Sequence, residues 1–176
     1  MRRILVAILL GAVVGTTAAS AQNKAFGAGQ TDLGPTLGLG GIGAAGMSFG
    51  GRFERGIKAL PNLGDGTLSF GLSVDYWSYN ETFVAVDYSF RYIPIGATVN
   101  YHINTKNEKI DPFVGAGLGY SIVSTSFTGA FSSGIYFIGR LGMRYFLKPA
   151  LALYGDVGAG ASTLNVGLMF KLAGAQ

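Results

Sequence analysis

The stretch TLSFGLSVDYW, Thr67 to Trp77, alternates without a break: Leu68, Phe70, Leu72, Val74 and Tyr76 share one face, and Thr67, Ser69, Gly71, Ser73 and Asp75 share the other. A period of two is the signature of a β-strand between two different environments. The segment LNVGLMFKL, Leu164 to Leu172, repeats the pattern close to the C-terminus. In a soluble protein the apolar face looks inward, whereas in a transmembrane barrel it looks outward into lipid, so alternation alone leaves both readings open.

The N-terminus narrows the choice. MRRILVAILLGAVVGTTAASAQ opens with Arg2 and Arg3, runs through an apolar core from Ile4 to Val14 and reaches Ala19-Ser20-Ala21, a small-x-small cleavage pattern. The apolar run is about half of the roughly 20 residues that a membrane helix needs, so residues 1–21 read as a cleavable secretory signal peptide and 22–176 as one domain. The chain has no cysteine, which removes disulfides and cysteine-linked lipid anchors as means of holding an exported domain together.

Of the 176 residues, 49% are hydrophobic, 12% are charged and 29 are glycine. Half of the formal net charge of +4 belongs to Arg2 and Arg3, so the mature chain carries no basic excess that would suit nucleic acid. No mature segment approaches the roughly 18 consecutive apolar residues of a membrane helix. A chain this apolar must therefore place its hydrophobic surface on strands.

Eight alternating segments are legible: about Leu33–Ile42, Met47–Ile57, Thr67–Trp77, Val84–His102, Pro112–Val123, Ile135–Leu147, Ala150–Val157 and Ser162–Leu172. An even count suits antiparallel strands closing on themselves, which removes edges that hydrocarbon cannot satisfy. The expected fold is thus all-β, an eight-stranded antiparallel up-and-down transmembrane barrel. KALPNLGDG, NTKNEK and LKP would connect strands at the periplasmic end, with both termini. GAAG, SYNET, STSFTGAFSSG and GAGA would turn at the extracellular end.

Carried through the strands, the alternation puts Arg52, Glu54, Asp75, Asp87, Arg91, Arg140, Arg144, Asp156 and Lys171 opposite the large apolar side chains, which in a membrane barrel is the lumen. There, both signs can neutralise one another. The apolar face carries Phe70, Tyr76, Tyr88, Phe90, Tyr92, Val99, Tyr101, Phe137, Leu141 and Tyr145, with aromatics toward strand ends as in an interfacial girdle. A secreted soluble sandwich could bury the same residues and is the competing reading. Gly34, Gly38 and Gly40 in the first strand, and Gly115, Gly117 and Gly119 in the fifth, fall on the lumen face. They would leave bare wall for long side chains to cross.

Two local expectations follow. The parity of the apolar face slips by one between Tyr92 and Ile95, which predicts a bulge or pairing break at Pro94. A turn about Lys148 predicts that Arg140 stands opposite Asp156 and Arg144 opposite Ala152.

IPIGATVNYHI followed by a short polar turn and DPFVGAGLGY resembles the paired fourth and fifth strands of small bacterial outer-membrane barrels, the broad OmpA-, OmpX-, OmpW-like and opacity-type group. Asn165, Gly167, Phe170 and Leu172 resemble the terminal-strand signal read by the barrel-assembly machinery, although Ala173 to Gln176 follow the last strand. The resemblance implies a bacterial outer-membrane location, with lipid and the assembly machinery as partners.

Catalysis has little support in the sequence. His102 is the one histidine, and sequence position offers it no serine and acid at the same level of the membrane. With no cysteine and scattered carboxylates, no metal or cofactor site is expected. The expected function is a non-enzymatic, monomeric structural or surface-contact barrel with a side-chain-filled lumen. A narrow channel for small or hydrophobic solutes is the alternative.

Overall fold

A computed structural model describes residues 24–41, 46–83, 86–126 and 132–173, with the side chains of 80–83, 86–88 and 173 outside the description. The expected leader at 1–21 lies outside the described residues. Eight strands, β1 (Thr31–Leu39), β2 (Met47–Leu60), β3 (Gly66–Phe83), β4 (Val86–His102), β5 (Ile110–Thr125), β6 (Gly134–Lys148), β7 (Leu151–Ala159) and β8 (Leu164–Ala173), form a closed barrel in sequence order. Every neighbouring pair is antiparallel, and β1 pairs with β8 to close the ring. Each of the eight strands therefore has a neighbour on both sides, and no strand is left at the edge of the sheet.

The apolar side of each strand faces outward. Leu72, Val74 and Tyr76 on β3, Val114 and Leu118 on β5, and Leu141 and Tyr145 on β6 are all exposed, and Ile135 and Phe137 are 75% and 80% exposed. Meanwhile Asp32, Glu54, Asp75, Asp111, Arg144 and Asp156 are buried within the ring. This inversion excludes the soluble sandwich, which would bury those aliphatic and aromatic groups and solvate the charges. An apolar exterior over strands of at least nine residues is what a bilayer requires.

The wall is uneven. β3 to β6 run for 15 to 18 residues, whereas β1, β7 and β8 run for nine or ten. β3 and β4 continue through SYNET, which the sequence suggested was loop, and pair as far as Phe83 with Val86. The tall side therefore rises at the distal end, away from the termini.

Three irregularities in the ladders lie at the terminal end, between Thr31 and Asp32, between Gly56 and Lys58, and between Phe146 and Lys148. The last corrects the expected β6–β7 register. Lys148 pairs with Leu151 across Pro149 and Ala150, Leu147 is the extra residue, and the ladder is displaced by two: Arg140 stands opposite Gly158 and Arg144 opposite Tyr154. A shift of two preserves the facing of every side chain.

At Pro94 the ladder to β3 skips Ile93 and Pro94, so the expected pairing break is present, but there is no bulge. Val74–Ile95 and Trp77–Tyr92 keep one register, and the ladder to β5 runs unbroken through Pro94. A missing amide hydrogen interrupts one ladder without inserting a residue. Tyr92 and Ile95 consequently face opposite ways. Tyr92 turns inward and lies edge-on to the buried Trp77, with centroids 5.5 Å apart, and Phe90 stacks beside it on the same side. These two aromatics therefore leave the expected outer girdle, while the side chain of Tyr88 lies outside the described residues. Gly40 sits past the end of β1, exposed, and does not line the lumen.

Candidate functional site

The lumen gathers the buried polar side chains of the described residues, and its centre is Arg144. The guanidinium is wholly buried. Its Nη1 donates to Oδ2 of Asp32 on β1 at 2.5 Å, its Nη2 donates to Oε2 of Glu54 on β2, and its Nε lies 3.6 Å from Oδ2 of Asp111 on β5. His102, the last residue of β4, fills the space between two of these acids: Nε2 is 2.7 Å from Oε1 of Glu54, and Nδ1 is 2.9 Å from Oδ1 of Asp111. Asn100 donates to Glu54 at 2.6 Å, the Ser69 hydroxyl also donates to it, and Gln30 donates to both oxygens of Asp32. Six strands are thereby tied together across the barrel. Charges removed from water are tolerable only when paired and hydrogen-bonded to this extent.

A strap seals this cluster from the terminal side. Residues 24–30 fold into the mouth, anchored by Gly29 N–H to Gly56 O at 2.9 Å, Gly56 N–H to Gln30 O at 2.9 Å, and Thr67 Oγ1 to Phe26 O at 3.3 Å. Phe26 is buried, its ring 4.1 Å from that of His102 and 4.5 Å beneath the Arg144 guanidinium. Phe113 contacts the same guanidinium at 5.8 Å, so the cation lies between two aromatic faces. Phe113, Phe146, Ala152, Tyr154 and Met169 make a small apolar layer, against which Ala25 packs.

Toward the distal end a second, looser network follows. Arg52 donates to Asp75 and to Asn165, each at 2.9 Å. Arg140 pairs with Asp156 at 3.1 Å and donates to the Ser162 carbonyl at 2.7 Å. Asn165 and the Tyr154 hydroxyl also donate to Asp156. Between these side chains is a cavity of about 40 Å³, room for a few waters.

Of the residues assigned to the lumen from sequence, Arg52, Glu54, Asp75, Arg140, Arg144 and Asp156 meet in these two networks, and Lys171 is half-buried on the lumen face, level with Asp32. Arg91 is a correction: it shares parity with Ile95 on the unbroken β4–β5 ladder and is exposed on the outer face. The side chain of Asp87 lies outside the described residues. On β8, Asn165 and Gly167 point inward, while Phe170 and Leu172 are exposed to the outside. Asn165 is therefore a member of the lumen network as well as of the terminal-strand pattern.

The expectation that His102 has no partners is overturned. Ser69 Oγ lies 3.1 Å from its Nε2 and Asp111 accepts at its Nδ1, the relative placement of a serine, a base and an orienting acid. The same nitrogen, however, faces Glu54 at 2.7 Å, and the Ser69 hydroxyl is committed to that carboxylate. Ser69 is completely buried, on a regular strand, with no approach for a substrate. The arrangement can bond strand to strand; it cannot admit an ester. Among the described residues no group of histidines and carboxylates is placed to hold a metal ion.

Asp32, Gln30, Ser69, Asn100, His102, Asp111 and Phe26 were not among the site residues read from sequence. Asp111 shares parity with Gly115, Gly117 and Gly119, and Asp32 with Gly34 and Gly38, so alternation extended to the strand ends places both in the lumen. Phe26 precedes β1 and has no periodic neighbour to reveal it.

No family model matches the sequence, and no curated protein matches it. Among solved structures, the chain is similar to the outer membrane protein OprG from Pseudomonas aeruginosa at 10% identity and a TM-score of 0.53, covering 83% of this chain and 97% of that one. It is also similar to the N-terminal β-barrel domain of Pseudomonas aeruginosa OprF at 15% identity and a TM-score of 0.50, covering 84% and 100%. Ail, the attachment invasion locus protein of Yersinia pestis, matches at 14% identity with a TM-score of 0.47, covering 81% and 93%. The fold of this chain is that of the small eight-stranded outer-membrane barrels.

Proposed function

We propose that this transmembrane barrel is a non-enzymatic, monomeric component of the bacterial outer membrane, with a structural or surface-contact role and a lumen that does not conduct. The observation that carries the reading is the Arg144 cluster, which crosses the whole section of the barrel and is capped by Phe26. An ion passing this layer must separate buried charge pairs, and separated charges in a low-dielectric lumen are costly. In this reading the terminal end is periplasmic, and Asn165, Gly167, Phe170 and Leu172 serve the assembly machinery during insertion.

The test is conductance of the purified, heat-modifiable barrel in planar lipid bilayers. Silence over a wide voltage range is expected. Regular unitary steps would favour the narrow-channel reading, for which the distal cavity lined by Arg52, Asp75, Arg140 and Asp156 is the natural vestibule.

A further inference from the structure

Outside the lumen the charged side chains are segregated by end. Arg55 and Lys58 near the end of β2, Lys106 and Lys109 between β4 and β5, and Lys148 at the end of β6 are all exposed, and all stand at the terminal end. Each of the three hairpins that turn there carries at least one of them. Asp65 and Glu108 are the acidic residues of those connections. The segments that turn at the distal end contain only Glu81, Asp87 and Arg91 among charged residues. Every ion pair among the described residues lies in the lumen, so among them none of the five rim cations makes a direct ion pair with a carboxylate.

Their position relative to the apolar exterior gives the rim a direction. Arg55 points outward, beside Phe70 in the ladder to β3; its Nη1 donates one long bond, 3.5 Å, to Thr31 Oγ1. The extra residue between Gly56 and Lys58 leaves Ile57 and Lys58 both exposed, an aliphatic group followed at once by an ammonium. Leu147 and Lys148 repeat the arrangement at the β6–β7 irregularity, where Leu147 is 51% exposed. Aliphatic stems leaving an apolar wall with a cationic head at its border place that head at the depth of lipid phosphates. The arginine fork also matches a phosphate diester in geometry.

We propose that the terminal rim is a collar for the headgroups of anionic glycerophospholipids in the leaflet that surrounds it. The inference rests on the membrane-barrel reading. The collar recruits phosphatidylglycerol-type lipid to one end of the barrel, while the distal end, with a single exposed cation on its outer wall, has no equivalent attraction for anionic lipid.

The experiment reconstitutes the whole barrel in phosphatidylcholine vesicles containing spin-labelled phosphatidylglycerol or spin-labelled phosphatidylcholine and measures the motionally restricted fraction of each. A preference of about threefold for phosphatidylglycerol is expected, less than the sum of separate cation contributions because the rim is spread round the barrel. The preference should shrink as salt is raised. It should disappear in a variant carrying Arg55→Gln, Lys58→Gln, Lys106→Gln, Lys109→Gln and Lys148→Gln that still migrates as a closed barrel; Lys58→Gln with Lys148→Gln alone should lower it partway if the fivefold variant does not fold. Equal restriction of the two lipids by the wild-type barrel would overturn the collar while leaving the membrane reading intact. Restriction of neither lipid would mean that the membrane reading itself had failed. Displacement of the labelled lipid by inorganic phosphate, beyond the effect of chloride at matched ionic strength, would show a site for free phosphate and would also overturn the proposal.

Discussion

Arg144 on β6 pairs with Glu54 on β2, the strand directly opposite it in the eight-strand ring, so a single ion pair spans the diameter of the barrel. Asp32 and Asp111 are held to Arg144, and His102 to Glu54, from other walls. Replacing Arg144 with methionine leaves three buried carboxylates around one histidine, and a loss of about 3 to 5 kcal/mol is expected. Urea unfolding in detergent micelles, followed by tryptophan emission, measures it. Adding Glu54→Gln to Arg144→Met should recover part of the loss, because it removes one of the stranded charges; further destabilisation by the second change would show that Glu54 is held by its other donors and not by Arg144.

Conduction requires two separate obstacles to be removed. Phe26→Ala opens the strap, but the Arg144 cluster still spans the lumen behind it, so the single variant should remain silent in planar bilayers. Phe26→Ala combined with Arg144→Ala removes both layers and should give unitary steps. Steps from Phe26→Ala alone would identify the strap as the whole barrier.

Closure of the ring depends on two glycines at the β1–β8 seam. A Cβ on Gly34 would lie 1.7 Å from the Leu168 carbonyl oxygen, and one on Gly167 would lie 2.3 Å from the Pro35 carbonyl oxygen. Both obstacles are backbone and cannot rotate away. Gly34→Ala or Gly167→Ala should therefore cost about 3 kcal/mol or more, and should reduce the heat-modifiable fraction recovered after refolding. Gly139→Ala, at a position with open space around it, is the control and should refold as the wild type does.

Alternation made the fold legible because it is a property of single strands: Leu68, Phe70, Leu72, Val74 and Tyr76 share a face whatever β3 pairs with. Register was less legible, since it depends on how a turn closes. The tight Pro149–Ala150 turn and the extra Leu147 displaced the β6–β7 ladder by two, but the facing of Arg140, Arg144 and Asp156 survived because the shift was even. Pro94 misled for a related reason. The run Tyr88, Phe90, Tyr92 looked like an outer girdle continuing with slipped parity, whereas Phe90 and Tyr92 line the tall distal lumen beside Trp77. The partners of His102 were hidden by sequence distance, because Glu54 and Ser69 reach it only once three strands are in register.

Asp156 has more partners than strand pairing alone predicts: Arg140 at 3.1 Å, Asn165 at 2.8 Å and the Tyr154 hydroxyl. Asp156→Ala strands the partly buried Arg140 guanidinium, which among the described residues retains its bond to the Ser162 carbonyl. A loss of about 3 to 5 kcal/mol is expected on unfolding in urea, and less for Asp156→Asn, which keeps an acceptor for Asn165 and Tyr154.

The outward placement of the apolar face can be tested one side chain at a time. Leu141 is 61% exposed on β6, in line with Val114 on β5 and Val157 on β7, both also exposed. Thr98 on β4 faces the other way, between Gly71 and Gly117 and along the distal cavity. A nitroxide attached at a cysteine replacing Leu141 should collide readily with oxygen, which concentrates in hydrocarbon, and hardly at all with a water-soluble nickel chelate. One attached at position 98 should be shielded from oxygen by the wall. Because the chain has no native cysteine, each label reports a single site. A label at 141 that met the nickel chelate in vesicles as freely as one at the exposed rim residue Lys148 would mean that the apolar wall is not in lipid, and with it the lipid collar would lose its foundation.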